Sequence, residues 1–194
     1  MAQLTMAQAL VRWLTNQYID IDGEVQPYFP GAFAIFGHGN ALAVGDSLEP
    51  LRHSWPTYRG HNEQGMALAA VGYAKAALRQ QCMVVTTSIG PGALNVVTAA
   101  GVAMANRLPM LVLAGDTFHS RTPDPVLQQI EQFAAPSTTV NDSFRPVVRY
   151  WDRITHPGQL LSSLPHLIAT LLDPSDCGPV FLGLPQDVQA QAFE

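Results

Sequence analysis

Glu63 is the side chain in this sequence whose setting most suggests acid–base chemistry. It opens the stretch EQGMALAAVGYAKA at residues 63–76, in which small and apolar residues dominate. Its helical neighbours on one side are Gly, Ala, Met or Tyr, and a carboxyl group in such a setting could act as a general acid or base. The helix dipole also stabilises any acidic residue in a first turn. Taken alone, the residue therefore fits either a catalytic or a structural role.

Three glycine-rich turns contain the other residues that could take part in chemistry. They read GHG at 37–39, SIGPG at 88–92 and GD at 115–116. Each signal is weak on its own, because glycine permits positive φ values in any turn. The turn at 88–92 lacks the pattern of a phosphate loop, and Ser88 lacks the GxSxG context of a serine nucleophile. The six histidines show no metal-binding spacing, so no metal ligands are predicted in this chain.

The composition limits the classes of partner. The chain has 194 residues, a net charge of −5, 13% charged residues and 47% hydrophobic residues. This balance argues against nucleic acid and acidic membrane surfaces, because both select basic patches. The apolar stretch from Gly90 to Gly115 is interrupted by polar residues and Pro109, so it is interpreted as a buried helix and strand rather than a membrane span.

The two cysteines indicate the cellular compartment. Cys82 and Cys177 lie far apart in unrelated contexts, without a CxxC motif, and no signal-peptide pattern is present. They are therefore predicted to be reduced core thiols in a cytoplasmic protein.

Hydrophobic periodicity and capping residues predict alternating helices and strands. Helices are predicted after a cap at Thr5, from Glu63 with Asn62 as its cap, and over 93–106, 126–133 and 157–173. Strands are predicted at 32–36, 82–88, 109–115, 147–150 and 179–184, with a short extended piece at 57–60. The stretch at 20–32, rich in glycine and proline, is predicted to be a loop or a short hairpin.

Strands that are apolar at every position and alternate with helices are typical of a parallel sheet covered on both faces. We therefore predict an α/β fold: a doubly wound parallel sheet of about six strands with helices on both faces. In such sheets, ligands bind beyond the carboxyl ends of the strands. The turns at 37–39, 60–63, 88–92 and 115–116 all follow predicted strands, so they are expected along that one edge.

Taken in order, these motifs resemble one family. The segments GHNEQGMA (60–67), TSIGPGALN (87–95), LPMLVLAGD (108–116) and GPVFLGLPQDV (178–188) are similar to the pyrimidine-binding domain of thiamine diphosphate enzymes of the acetolactate synthase and benzaldehyde lyase type. The resemblance runs from about Thr5 to Val188.

Two departures from the common pattern narrow the resemblance to one branch. One extra residue separates His61 from Glu63, and Ile89 is inserted before Gly90. Together with IFGHGNALAVGDSLE (35–49) and SRTPDPVLQQIEQ (120–132), they are similar to hydrolases that open the ring of a cyclic 1,2-diketone in myo-inositol catabolism.

The resemblance implies thiamine diphosphate as the cofactor. In this family, a carboxyl group holds a proton on ring nitrogen N1′ of the cofactor's aminopyrimidine, and by resemblance that group is Glu63. His38 is implied to be catalytic and to face the substrate, and Gln128 to lie near the substrate. The cofactor-binding positions implied by the resemblance are Gly37, Glu63, Gly90, Pro91, Gly92 and Asn95.

The resemblance also implies what this chain lacks. The family binds the diphosphate and its Mg²⁺ in another domain, through Gly-Asp-Gly followed by Asn. Asp116 and Asn141 have a similar spacing, but Thr117 replaces the second glycine, so they are not assigned as Mg²⁺ ligands. Residues 1–194 are expected to form one pyrimidine-binding domain, an N-terminal fragment that is inactive alone. Its expected partner is the diphosphate-binding domain of a second subunit in a homodimer or homotetramer.

Two other interpretations stay open at this stage. The chain could belong to a different enzyme, either as a separate α-subunit of a two-chain thiamine diphosphate decarboxylase or as a domain of an acetolactate synthase-like enzyme. An adjacent reading frame that encodes Gly-Asp-Gly and Asn would favour the two-chain enzyme. The chain could also be a non-catalytic interaction module on the same fold. Glu63 and the glycine turn argue against this, since neither is needed to hold a sheet together.

Overall fold

The computed structural model describes residues 3–123 and 126–193. In chain order, its elements are β1 (Leu4–Thr5), α1 (Met6–Leu14), β2 (Tyr18–Ile21), β3 (Glu24–Pro27), β4 (Ala32–Ala34), α2 (Asp46–Leu48), β5 (Thr57–Arg59), α3 (Glu63–Ala76), β6 (Val84–Thr87), α4 (Pro91–Leu94), α5 (Val97–Asn106), β7 (Met110–Asp116), β8 (Tyr150–Arg153), α6 (Leu160–Leu172), β9 (Pro179–Pro185), α7 (Gln186–Gln189) and β10 (Ala192–Phe193). Short π- or 3₁₀-helical segments lie at Ala41–Gly45, Glu49–Leu51, Val140–Val147 and Pro157–Gln159.

A parallel sheet forms the centre of the fold. Within the described residues it has six strands, in the order β5-β4-β6-β7-β9-β8. Every position of β6, β7 and β9 is buried, as a sheet covered on both faces requires. The prediction of a doubly wound parallel α/β sheet is confirmed.

Two hydrophobic cores lie on opposite faces of this sheet. Successive residues of β7 alternate between them: Leu111 and Leu113 join the core formed with α1 and α6, and Met110 and Val112 join the core formed with α3 and α5. No helix in residues 3–123 or 126–193 is both long and apolar enough to cross a membrane.

The predicted caps and the hairpin are present. Thr5 forms a capping box with Gln8 at the start of α1, and the Asn62 side chain accepts a hydrogen bond from the Gly65 N–H at the start of α3. The stretch predicted as a loop or hairpin contains most of the antiparallel pair β2–β3. Its turn is at Asp22-Gly23, where both residues have positive φ.

Three predicted elements differ in the structure. The stretch 126–133 is not helical, because Gln128 has a φ of +63°, outside the helical region. The predicted strand at 147–150 lies later, at Tyr150–Arg153, since a 3₁₀ segment capped by Thr139 continues to Val147. The predicted helix at 93–106 is divided into α4 and α5.

The order of the strands creates a crevice at one end of the sheet. From β4 the chain moves outward to β5 and then returns to the other side of β4 to form β6. The turns that follow β4 and β6 therefore leave the carboxyl edge in neighbouring positions, where ligands bind in folds of this type. The His38 turn and the glycine turn at 88–92 lie at this switch point.

Backbone contact holds these turns together. A Cβ atom added to Gly115 would lie 3.2 Å from Cα of Gly39 and 3.3 Å from the backbone nitrogen of Ile89. The turn after β4, the turn after β6 and the end of β7 thus touch where glycine leaves room for them.

Gly115→Ala should destabilise the chain by about 1–3 kcal/mol, because its new methyl group meets backbone atoms that cannot rotate away. Gly72→Ala is the matched control, since its added Cβ has no atom within 4 Å on the exposed side of α3. That control should be neutral or up to about 1 kcal/mol more stable. Urea unfolding midpoints of the two variants measure the difference. Equal midpoints would contradict the close packing of the three turns.

Candidate active site

The start of α3 fixes the position of Glu63. Asn62 adopts an extended backbone and caps the helix, which places Glu63 at the first helical position, beyond the carboxyl end of β5. The Glu63 side chain is only partly buried, so it is still open to solvent.

Asn95 binds the Glu63 carboxylate from the neighbouring turn. Its Nδ2 atom donates a hydrogen bond to Oε2 of Glu63 over 3.1 Å. Asn95 ends the short helix α4, which begins at Pro91 after Gly90, and so connects the glycine turn with α3. Two residues that the sequence predicted as cofactor-binding are therefore in direct contact.

The glycines of this turn leave room that a side chain would fill. A Cβ atom on Gly92 would lie 3.1 Å from Oε1 of Glu63 and would overlap the Ser88 hydroxyl. Gly90 has a φ of +65°, and a Cβ there would overlap the carbonyl oxygen of Gln128. A Cβ on Gly37 would lie 2.9 Å from Cβ of Ser88. At these three predicted positions any residue larger than glycine would collide with a neighbouring part of the chain.

The turn that carries His38 is fixed on several sides. The Ile89 N–H donates to the carbonyl oxygen of His38 over 3.0 Å. The side-chain oxygen of Asn40 accepts from the Gly37 N–H over 2.9 Å. The buried side chain of Gln189 donates to the carbonyl oxygen of Gly39 and links this turn to the end of β9. The His38 ring is therefore attached to a rigid backbone.

Two neighbouring glutamines in the loop after β7 differ in exposure and in the direction of their side chains. Gln128 is exposed and has positive φ, and its Oε1 lies 3.9 Å from the Cβ position of Gly37. Gln129 is buried, and its Nε2 lies 3.4 Å from Nε2 of His38. The sequence analysis selected Gln128 and missed Gln129. Nothing in the pattern LQQIE distinguishes the two, because the unusual φ of Gln128 determines which side chain turns inward.

Charged side chains anchor both ends of this loop. The Asp187 carboxylate accepts hydrogen bonds of 2.9 Å from the N–H groups of both His119 and Ser120. At the other end, Arg153 donates to the carbonyl oxygen of Ser137 and to the hydroxyl of Thr139. The loop thus has fixed ends, although residues 117–123 and 126–139 contain neither a helix nor a strand.

Asp116 and Asn141 serve the fold. Asp116 is only 1% exposed, and its carboxylate pairs with Arg153 over 2.6 Å. Burial alone would lower the pKa of Arg153, but the Asp116 and Asp142 carboxylates outweigh it and raise that pKa. Nδ2 of Asn141 donates to the carbonyl oxygen of Gly115 over 2.9 Å. In the described part of the chain, no three His, Cys, Asp or Glu side chains are grouped to hold a metal ion.

The residues present fit an aminopyrimidine ring. One carboxylate oxygen of Glu63 accepts a hydrogen bond from Asn95, and the other lies beside the backbone of Gly92, where a Cβ atom would come within 3.1 Å of it. Either oxygen of a carboxyl group can accept a hydrogen bond from a ring N–H, and the glycine backbone here leaves room for a flat ring.

The family match agrees with this geometry. Residues 33–135, more than half of the chain, match the model of the thiamine pyrophosphate enzyme N-terminal TPP binding domain. The chain belongs to this family.

The curated relatives carry a more specific name. The 3D-(3,5/4)-trihydroxycyclohexane-1,2-dione hydrolases of Bacillus subtilis, Lacticaseibacillus casei and Clostridium tetani are 50%, 51% and 47% identical to this chain over 192 residues. Each alignment covers 99% of this chain and 30% of the relative. The chain thus spans about a third of the length of the relatives it matches.

Acid should weaken the anchor of the loop at Asp187. Burial alone would raise the pKa of Asp187, but the N–H groups of Ser120 and His119 outweigh it and lower that pKa. Because the folded pKa lies below the ordinary value of about 3.9, the stabilisation is complete above that pH and is lost as pH falls through the folded pKa.

Asp187→Asn should therefore reduce the free energy of unfolding by roughly 1 kcal/mol at pH 7, because it removes charge-assisted hydrogen bonds. At pH 3 the difference from wild type should be smaller. Urea midpoints at both pH values test this, and Glu24→Gln on the exposed strand β3 is the charge-matched control. A difference that does not change with pH would contradict the assignment.

Proposed function

We propose that this chain is the pyrimidine-binding domain of a thiamine diphosphate-dependent enzyme. The enzyme would hydrolyse a carbon–carbon bond of trihydroxycyclohexane-1,2-dione and so open its ring in inositol catabolism. The hydrogen bond between Asn95 and Glu63, beside the glycine turn, is the observation that carries the proposal for the cofactor. The names of the relatives, which are about 50% identical over nearly the whole chain, support the proposed substrate assignment.

The proposed role of Glu63 is to hold a proton at ring nitrogen N1′ of the aminopyrimidine. When bound, thiamine diphosphate supplies a carbon nucleophile at C2 of its thiazolium ring. Asn95 orients the Glu63 carboxyl group by occupying one of its oxygens, which leaves the other for the ring nitrogen. Pro91 would line the ring, and the backbones of Gly90 and Gly92 would allow it to approach closely.

His38 and Gln128 are the proposed substrate residues. His38 stands on a fixed turn at the switch point of the sheet, where it would bind the diketone and move protons during ring opening. Gln128 keeps a positive φ, an uncommon conformation for a residue other than glycine, and such conformations concentrate at functional sites. The two residues lie on neighbouring segments, since Oε1 of Gln128 is 3.9 Å from the Cβ position of Gly37, next to His38.

The proposed partner is the diphosphate-binding domain of a second subunit, in a homodimer or homotetramer. Exposed uncharged residues on two helices support this assignment. On α3 they are Leu68, Ala69 and Gly72; on α5 there is Val102, and Leu94 lies just before that helix. These positions are uncharged; Leu68, Ala69 and Gly72 lie on the helix that begins with Glu63, and Leu94 directly precedes Asn95. A domain that covers them would complete the site and bury the apolar surface. The Mg²⁺ ion would be bound by that domain.

Two earlier interpretations are less well supported. A non-catalytic module would not need an amide aimed at the Glu63 carboxylate or glycines at each contact around it. The curated relatives cited above are dione hydrolases, which does not favour a decarboxylase subunit. Cys82 and Cys177 are buried free thiols, which supports the proposed cytoplasmic location.

Glu63→Gln in the complete enzyme should lower kcat by about 10² to 10⁴, because the amide cannot hold the proton at N1′. Turnover of the cyclic dione measures this loss. Glu24→Gln, on the exposed hairpin, makes the same change of charge away from the site and should keep normal turnover. Near-normal turnover by Glu63→Gln would refute the assignment.

The 194-residue chain alone should bind thiamine diphosphate very weakly. It would contact about nine heavy atoms of the cofactor, and at roughly 0.3 kcal/mol per atom this gives about 3 kcal/mol, weaker than millimolar. Calorimetric titration with thiamine diphosphate and Mg²⁺ should show no heat of binding at sub-millimolar cofactor. Micromolar binding would mean that the chain has its own diphosphate site.

A further inference from the structure

The amide group of Gln129 has a fixed orientation. The backbone N–H of Phe118 points at its Oε1 atom over 3.2 Å. A backbone N–H can only donate a hydrogen bond, so the side-chain atom that faces it must be the oxygen. The NH₂ group of Gln129 is therefore the end that faces His38. Because Gln129 is only 8% exposed, little water competes for these contacts.

This orientation limits the protonation of His38. The NH₂ group lies 3.4 Å from Nε2 of His38, and it can only donate. A proton on Nε2 would face the hydrogens of the amide, whereas an Nε2 lone pair accepts one of them. The neutral ring must then carry its proton on Nδ1.

We propose that Gln129 is a positioning residue that holds His38 in the neutral Nδ1–H tautomer. In this tautomer Nε2 accepts a hydrogen bond from Gln129, and the other ring nitrogen, Nδ1, carries the N–H group. The relevance to catalysis rests on the proposed function, in which His38 faces a cyclic diketone. Ketone oxygens are hydrogen-bond acceptors, so this tautomer offers the substrate a donor at Nδ1.

The surrounding contacts make this arrangement rigid from both sides. The His38 backbone is tied to Ile89, and its turn is tied to Gln189 on α7. On the other side, Asp187 fixes the chain at His119, next to the Phe118 N–H that orients Gln129. The turn that carries the His38 ring and the loop that carries the Gln129 amide are thus both tied to α7.

The tautomer can be measured directly in the chain labelled with ¹⁵N-histidine. Two-bond ¹H–¹⁵N correlation spectra at about pH 8.5, about two units above the ordinary histidine pKa, distinguish the two neutral forms. The His38 signal is assigned by its loss in His38→Asn. We expect Nδ1 to be the protonated nitrogen, whereas the histidine side chain in water prefers the proton on Nε2. A wild-type His38 with its proton on Nε2 would overturn the proposal.

Gln129→Glu tests the cause. A carboxylate of the same shape accepts from both Phe118 N–H and His38 Nε2–H, so His38 should change to the Nε2–H form or become doubly protonated. Gln132→Glu adds the same charge at an exposed position of the same loop and should leave the His38 tautomer unchanged. An unchanged tautomer in Gln129→Glu would also overturn the proposal.

A second variant keeps the test valid if the buried charge disturbs folding. Gln129→Met has a similar volume and cannot donate, so His38 should shift toward the Nε2–H form. Unchanged signals from the other histidines show that the fold is intact. These spectra need neither cofactor nor turnover, so a failure here is distinguishable from a failure of the Glu63→Gln experiment, which tests cofactor activation alone.

Discussion

Backbone contact between the turns after β4 and β6 and the end of β7 is the constraint on which the rest of the structure depends. Parallel strands bring their carboxyl ends to one edge, but side chains normally keep the following turns apart. Gly39 and Gly115 remove that separation, and Ile89 fits against both. Once these backbones touch, the His38 turn and the glycine turn at 88–92 must line one crevice, and the start of α3 joins it through the contact between Glu63 and Asn95.

The loop after β7 meets a different physical requirement. Residues 117–123 and 126–139 contain isolated turn hydrogen bonds but no helix or strand, and charged groups add further contacts that hold the loop in place. Asp187 binds its first part, and Arg153, paired with Asp116 and Asp142, binds its end. In a chain with only 13% charged residues, several charges are thus concentrated on one loop. A binding loop held on a rigid scaffold is the usual arrangement at functional sites.

Short sequence patterns correctly predicted the buried strands and the helix starts, because both depend mainly on residues close together in the chain. Apolar runs gave the buried strands, and side chains such as Asn62 gave the helix caps. The family resemblance assigned Glu63 and Asn95 to one cofactor site but did not predict the hydrogen bond between them, and no periodicity relates residues that far apart. The helix predicted at 126–133 was wrong because tertiary contact with Gly90 and the positive φ of Gln128 override the local pattern. The inward position of Gln129 follows from that same φ, so the sequence could not reveal it.

The exposure of Glu63 connects the proposed chemistry with assembly. A carboxyl group that shares a proton with a ring is most effective where water is excluded, yet Glu63 is only partly buried in this chain. The helix α3 that begins with Glu63 exposes the uncharged residues Leu68, Ala69 and Gly72, with Lys75 near its other end. A domain placed there would exclude water from the carboxylate and bury the apolar surface in one step. Under the proposed function, cofactor activation would therefore depend on the same contact that holds the subunits together.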